Sequence, residues 1–66
     1  MTPYRHEIMR LKNQREGAKH YAGLMAFYGT HNSAWWARVN ADYRARWPKG
    51  LARIKRAAWK IVEGKR

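Results

Sequence analysis

The chain has 66 residues, with 15 Lys or Arg against 4 Asp or Glu, a formal net charge of +11 and no cysteine. A chain this short removes only about 60% of its unfolded surface from water, so there is room for one domain, and no disulfide framework or thiolate metal site can staple it. The charge excludes an acidic DNA mimic, and four Trp, four Tyr and one Phe carry too much apolar surface for a solvated tail.

The first seven residues lack the apolar run of a signal peptide, and the longest apolar stretch, Tyr21 to Gly29, is too short to span a bilayer. The expectation is a cytoplasmic protein, or one of the host cytoplasm if phage-encoded, whose partner is polyanionic or acidic.

Thr2 is placed to cap a helix whose first position is Pro3, where the missing N–H costs nothing, and Gly29 supplies a stop. Between them Tyr4, Ile8, Leu11, Arg15, Ala18, Ala22 and Met25 recur at alternating spacings of four and three. This predicts a first helix over 3–28 with those residues on one face. Gly17 and Gly23 each weaken it by up to about 1 kcal/mol relative to Ala, so a bend or a break near Glu16-Gly17 is the alternative. Asn32 or Ser33 caps a second helix over 33–46, with Trp36, Val39, Tyr43 and Trp47 as its apolar stripe. Pro48 ends it and forces Trp47 into an extended conformation. A third helix over 49–63 shows Leu51, Ile54, Ala58 and Ile61 on one face and stops at Gly64. No period-2 pattern competes. The fold class is therefore all-α: a small three-helix domain, with a long first helix and then a hairpin of the other two around Trp47-Pro48.

Residues 48–66 carry seven basic side chains and one acidic one, more than half of the chain's excess charge. Within them Lys49, Arg53, Arg56 and Lys60 step by four, three and four, a basic stripe opposite Leu51, Ile54 and Ile61. Lys55 and Trp59 flank it. Such a stripe, about 16 Å long at helical rise, meets several phosphates of a nucleic-acid backbone, and Trp59 can stack on a base. The bland alternative is a solvated face with Trp59 in the core. Arg outnumbers Lys nine to six, which favours phosphate recognition because guanidinium pairs bidentately.

Trp35 and Trp36 point about 100° apart on a helix, so one of them is at an interface unless the second helix is sandwiched in a wide core. Chemistry is harder to find. Glu7, Glu16, Asp42 and Glu63 form no close pair, and Asp42 has Arg38 and Arg46 at helical reach. His6, His20 and His31 lack the spacing of a helical metal site and read as surface or partly buried polar residues, and Ser33, the only serine, reads as a cap. Gly17, Gly23 and Gly29 recur at six-residue intervals, which suits helix packing better than a phosphate loop.

Tyr21-Ala22-Gly23 followed by Trp47-Pro48-Lys49-Gly50-Leu51 resembles the Tyr-x-Ala-Gly and Trp-x-Gly-Gly-Trp elements of the small basic ribosome modulation factors, which bind ribosomal RNA, though the spacing differs and the family's Cys-Pro-Tyr element is absent. Ser33-Ala34-Trp35-Trp36, Tyr43-Arg44, Pro48 and Trp59 resemble scattered HMG-box positions, with an insertion and a deletion between them and no counterpart for the long first helix. Each covers about half the chain through generic residue types, and no functional residue is carried over.

The leading expectation is a non-enzymatic nucleic-acid-binding protein for DNA or RNA, the ribosome included, with no cofactor and no metal. Lys49, Arg53, Arg56 and Lys60 contact phosphates, Lys55, Arg44 and Arg46 support them, and Trp59 stacks. The alternative is a phage-type host-takeover inhibitor or adaptor that docks Trp35, Trp36 and Arg38 on an acidic host protein. A third reading is a membrane-active cationic peptide of the bacteriocin type. A homodimer is a plausible route to stability for so small a core.

Overall fold

The computed structural model describes residues 4–65, and every regular element among them is a helix: α1 (Arg5–Met9), α2 (Gln14–Tyr28), α3 (Ser33–Arg46) and α4 (Leu51–Gly64). The all-α class expected from the sequence is what the chain adopts. The Thr2-Pro3 start of the first helix lies outside the described residues.

The single helix expected over 3–28 is instead two, α1 and α2, and the break falls at 10–13 rather than at Glu16-Gly17. Its cause is local. Asn13 is fully extended (φ −154°, ψ 174°) and its Oδ1 accepts the Glu16 N–H at 3.0 Å, while the Glu16 carboxylate turns back to accept the Lys12 N–H at 2.7 Å. Asn13 as cap with Glu16 three residues on resembles a capping box, with the reciprocal bond taken from the residue before the cap, and it outweighs continuation of α1. Gly17 then sits inside the first turns of α2.

α3 follows its expected bounds. Asn32 is the cap, its Oδ1 accepting the Trp35 N–H at 3.1 Å. Gly29, at φ +75°, takes a left-handed conformation that L side chains avoid, and its N–H still closes α2 on the Met25 carbonyl. Trp47 leaves the helix at φ −134°, ψ 85°, as its position before Pro48 requires. α4 begins two residues later than the spacing predicts, because 48–50 form turns and the Ile54 N–H bonds back to Gly50.

One apolar cluster joins all four helices, with Ile8, Val39, Tyr43, Ile54 and Ala58 sealed from solvent. The seam between α2 and α4 is close because it is made of small residues, Gly17, Ala18 and Ala22 against Ile54 and Ala58. α2 and α3 are instead bridged by rings: Tyr21 meets Trp36 at 4.9 Å and Tyr43 at 5.1 Å between centroids. α3 has α1 as one neighbour and α4 as another. α3 is therefore not sandwiched between the other two: α2 and α4 pack directly on each other, and the adjacent indoles find cover on different sides of α3. Trp36 enters the core and donates Nε1–H to the Gly29 carbonyl at 2.9 Å; Trp35 packs under Tyr4 and Tyr28 at 5.9 and 5.0 Å. The break at 10–13 is what lets α1 reach α3 and supply Tyr4.

The glycines of α2 differ in what surrounds them, which gives a test with opposite signs. A Cβ on Gly17 would lie 2.8 Å from the Trp47 ring and 3.5 Å from Ile54, whereas one on Gly23 meets nothing within 4 Å. Gly17→Ala is expected to destabilise by about 1–3 kcal/mol through overpacking, and Gly23→Ala to stabilise by about 0.4–1 kcal/mol through lower chain entropy in the unfolded state. Urea midpoints of the two variants, read by helical circular dichroism, should move in opposite directions.

Candidate nucleic-acid interface

α4 divides its charge from its apolar residues cleanly. Leu51, Ile54 and Ala58 are buried, while Arg53, Arg56 and Lys60 are exposed and lie within about 60° of one another at 100° per residue; Lys49, expected on the same helical stripe, is exposed but lies in the 48–50 turn before the helix, where helical register does not place it. Glu63 is one turn beyond Lys60, near the end of the stripe.

The stripe does not stand alone. Beside it runs a groove of about 440 Å³ between α4 and α2, floored by Ala18, Ile54, Ala57 and Ile61. Arg53 and Lys60 border it from α4, and Arg15 and Lys19 from α2; all four are exposed. Sequence reasoning missed these α2 cations and assigned Arg15 to the apolar face. Ala18, Ala22 and Met25 of that face are buried as expected, whereas Arg15, in the first turn of α2, is exposed at its edge. A basic residue on an otherwise apolar face was the signal available. The groove is continued along the same two helices by a second recess, where Lys19 and Ile61 recur and Ala22, Gly23 and Ala26 form the α2 wall up to Lys65.

At the other end, Arg44, Lys49 and Lys55 share a recess around Pro48 and Leu51. The first turn of α4 beside it has no acidic residue and no side-chain cap, so the partial positive charge of the helix start adds to theirs. Five cations, Arg15, Lys19, Arg53, Arg56 and Lys60, thus fall on the α4 stripe and the facing side of α2, and Lys49 joins them from the turn before α4, beside Arg53.

Three expected site residues are used elsewhere. Arg46 is not a surface cation: its guanidinium donates to the Leu11 carbonyl at 2.9 Å and lies 4.8 Å from the centre of the Trp47 ring, which ties the end of α3 to the link between α1 and α2. Trp36 is 8% exposed and Trp35 is half-buried, so of Trp35, Trp36 and Arg38 only Arg38 is exposed. The strongly exposed aromatic is Phe27, at 83%, beside Tyr28. Trp59, at 42%, is on the other flank of α4 with Lys55, facing α3.

Glu7, His20 and Tyr43 form a chain: Glu7 Oε2 is 3.1 Å from His20 Nε2, and His20 Nδ1 is 2.7 Å from the Tyr43 hydroxyl. That hydroxyl donates to the Gly17 carbonyl at 3.1 Å, so the chain ends in backbone and fastens α1, α2 and α3 to one another. All three bonds are made together when both ring nitrogens of His20 carry hydrogen. Among the described residues, no group of three His, Asp or Glu is placed to hold a metal ion.

Burial holds the phenols of Tyr43 and Tyr21 above the usual tyrosine range; the charge of Tyr21 adds to the effect at Tyr43, and the bond from Tyr21 to Asn40 partly offsets it at Tyr21. Below a pH of about 10 these phenols are protonated in folded and unfolded chains alike; above it the unfolded chain releases protons that the folded one retains, so stability falls as pH rises. Tyr21 and Tyr43 are therefore expected to ionise together with loss of helix. Tyrosinate absorbance and circular dichroism followed in one alkaline titration check this, and ionisation of all four tyrosines with the helices intact would contradict it.

No protein-family model, no curated protein and no solved structure matches this chain. The class it defines by its own geometry is a small helical protein with a basic two-helix groove.

Proposed function

We propose that this protein is a non-enzymatic nucleic-acid-binding protein that holds a phosphate backbone along the α2–α4 groove. The observation that carries the reading is the convergence of cations from two helices on one apolar-floored groove, with Arg15 and Lys19 opposite Arg53 and Lys60. A solvated helix face needs no partner rim, whereas a charged strand between two rows of cations is neutralised from both sides. The acidic residues nearest in sequence to the α2 row are engaged elsewhere, Glu16 with the Lys12 N–H and Glu7 with His20. Contacts of this kind fix position and carry no base sequence. DNA and RNA, the ribosome included, are both within this chemistry, and the site of action is the cytoplasm, or that of a host.

The test is capture of partners by the tagged protein from a bacterial lysate, with and without nuclease and at two salt concentrations. Capture that is lost with nuclease and falls steeply with salt supports the reading. One protein retained after nuclease in high salt would overturn it in favour of docking on an acidic protein, for which Phe27 at 83% exposure, and not Trp36, is the anchor. No helix among the described residues is long and apolar enough to cross a membrane.

A further inference from the structure

On the flank of α4 away from the groove, Tyr21, Met25, Trp36 and Trp59 surround a pocket of about 200 Å³, and Thr30, Asn40 and Lys55 supply its polar groups. Drug-sized ligands take about 300–1,000 Å³, so this volume suits a single flat ring system. Trp59 is the exposed wall and, among the described residues, the one aromatic without a recorded ring partner, which leaves its π face for a ligand. The Tyr21 hydroxyl donates to Asn40 Oδ1 at 2.8 Å, so the oxygen end of that amide is occupied and its N–H2 end is the one a ligand meets. Lys55 offers only donors as well, so two of the three polar groups of the rim donate and the Thr30 hydroxyl does either. A ligand edge with two carbonyl acceptors fits such a rim better than one presenting an amino group. Lys55 is flanked by Arg56 on the stripe, so a chain entering the pocket keeps its phosphates on cations.

We propose that this pocket receives one unpaired nucleobase with a carbonyl edge, namely thymine or uracil rather than adenine, stacked on Trp59 and read by Asn40 and Lys55. The inference rests on the nucleic-acid reading above and sharpens it: the preferred ligand is single-stranded, because a base held in a duplex cannot leave the stack without loss of pairing. Trp59 and the polar rim then supply a base preference that the groove lacks.

Fluorescence anisotropy with an oligothymidylate, an oligouridylate and an oligoadenylate of about 12 nucleotides, and a duplex of the same length, tests it on the intact protein. The thymidylate and uridylate should bind about 5- to 10-fold more tightly than the adenylate, a factor at the low end of what stacking and base contacts give. Trp59→Ala should weaken thymidylate binding by at least about 5-fold and leave the duplex unchanged, while Trp59→Phe retains most of it. Asn40→Asp keeps the acceptor for Tyr21 but removes the donor, so the ratio of thymidylate to adenylate affinity should fall to about one even where the added charge weakens both. Circular dichroism of each variant establishes that it is folded. Equal binding of all four probes, with Trp59→Ala without effect, overturns the pocket and leaves the groove standing. No binding of any probe overturns both.

Discussion

Replacing Arg53, Arg56 and Lys60 together by alanine should lower nucleic-acid affinity by about 10²–10³-fold at about 0.1 M salt and flatten its salt dependence. Six cations, the four that border the groove with Arg56 and Lys49 beside them, each neutralising one phosphate of duplex DNA, give a slope of log affinity against log salt of about −5, and loss of three brings it to about −3. The wild-type protein should accordingly lose about 10³-fold in affinity between about 50 and 200 mM salt. All three side chains are exposed, so the variant should melt close to the wild type, and the change in affinity is separable from unfolding. Arg15→Ala and Lys19→Ala should each reduce the slope by about one although they lie on a different helix, and this distinguishes a two-sided groove from a single basic helix. Unchanged slopes in those two variants, with the α4 triple variant still impaired, would confine the contact to α4. A wild-type slope near zero would remove phosphate binding altogether.

Ile54→Ala is expected to have the largest effect on stability. Ile54 is 1% exposed, faces Gly17 and Trp47 across the α2–α4 seam, and floors the groove. Truncation of a buried Ile to Ala costs about 2–5 kcal/mol, and a core in a chain this short supplies about 3–5 kcal/mol in all. Much of the variant population should therefore be unfolded at 25 °C, and nucleic-acid affinity should fall with the folded fraction. Arg53→Ala, one residue away on the same helix, should leave the urea midpoint nearly unchanged while it weakens binding. An Ile54→Ala protein with a wild-type midpoint would show that the seam contributes little.

The basic stripe was legible because it is a local pattern. Arg53, Arg56 and Lys60 share a face by helical periodicity alone, and the burial of Leu51, Ile54 and Ala58 on the opposite side follows from the same count, whereas Lys49 lies in the turn before the helix. The bounds of α3 were legible for a similar reason, since a cap at Asn32 and a stop before Pro48 act through neighbouring backbone groups. The break between α1 and α2 was also written locally, in Asn13 and Glu16. It was obscured by an apolar spacing that runs on across 3–28 as though the helix did. Periodicity reports which face is apolar and does not by itself report where a helix restarts.

Composition and local spacing determined the charge, the all-α class, most helix ends and the stripe of Arg53, Arg56 and Lys60 on α4, because each depends on residues within about one or two turns of one another. Tertiary structure alone decided that Arg15 and Lys19 face Arg53 and Lys60, that Arg46 is taken up by Leu11 and Trp47, and that Trp35 is covered by Tyr4 and Tyr28. It also decided that Gly17 is needed for close approach and Gly23 is not. These depend on which helix lies beside which, and that is set by the volumes that fill the seams: small residues draw α2 and α4 together, while the rings of Tyr21, Trp36 and Tyr43 fill the space between α2 and α3.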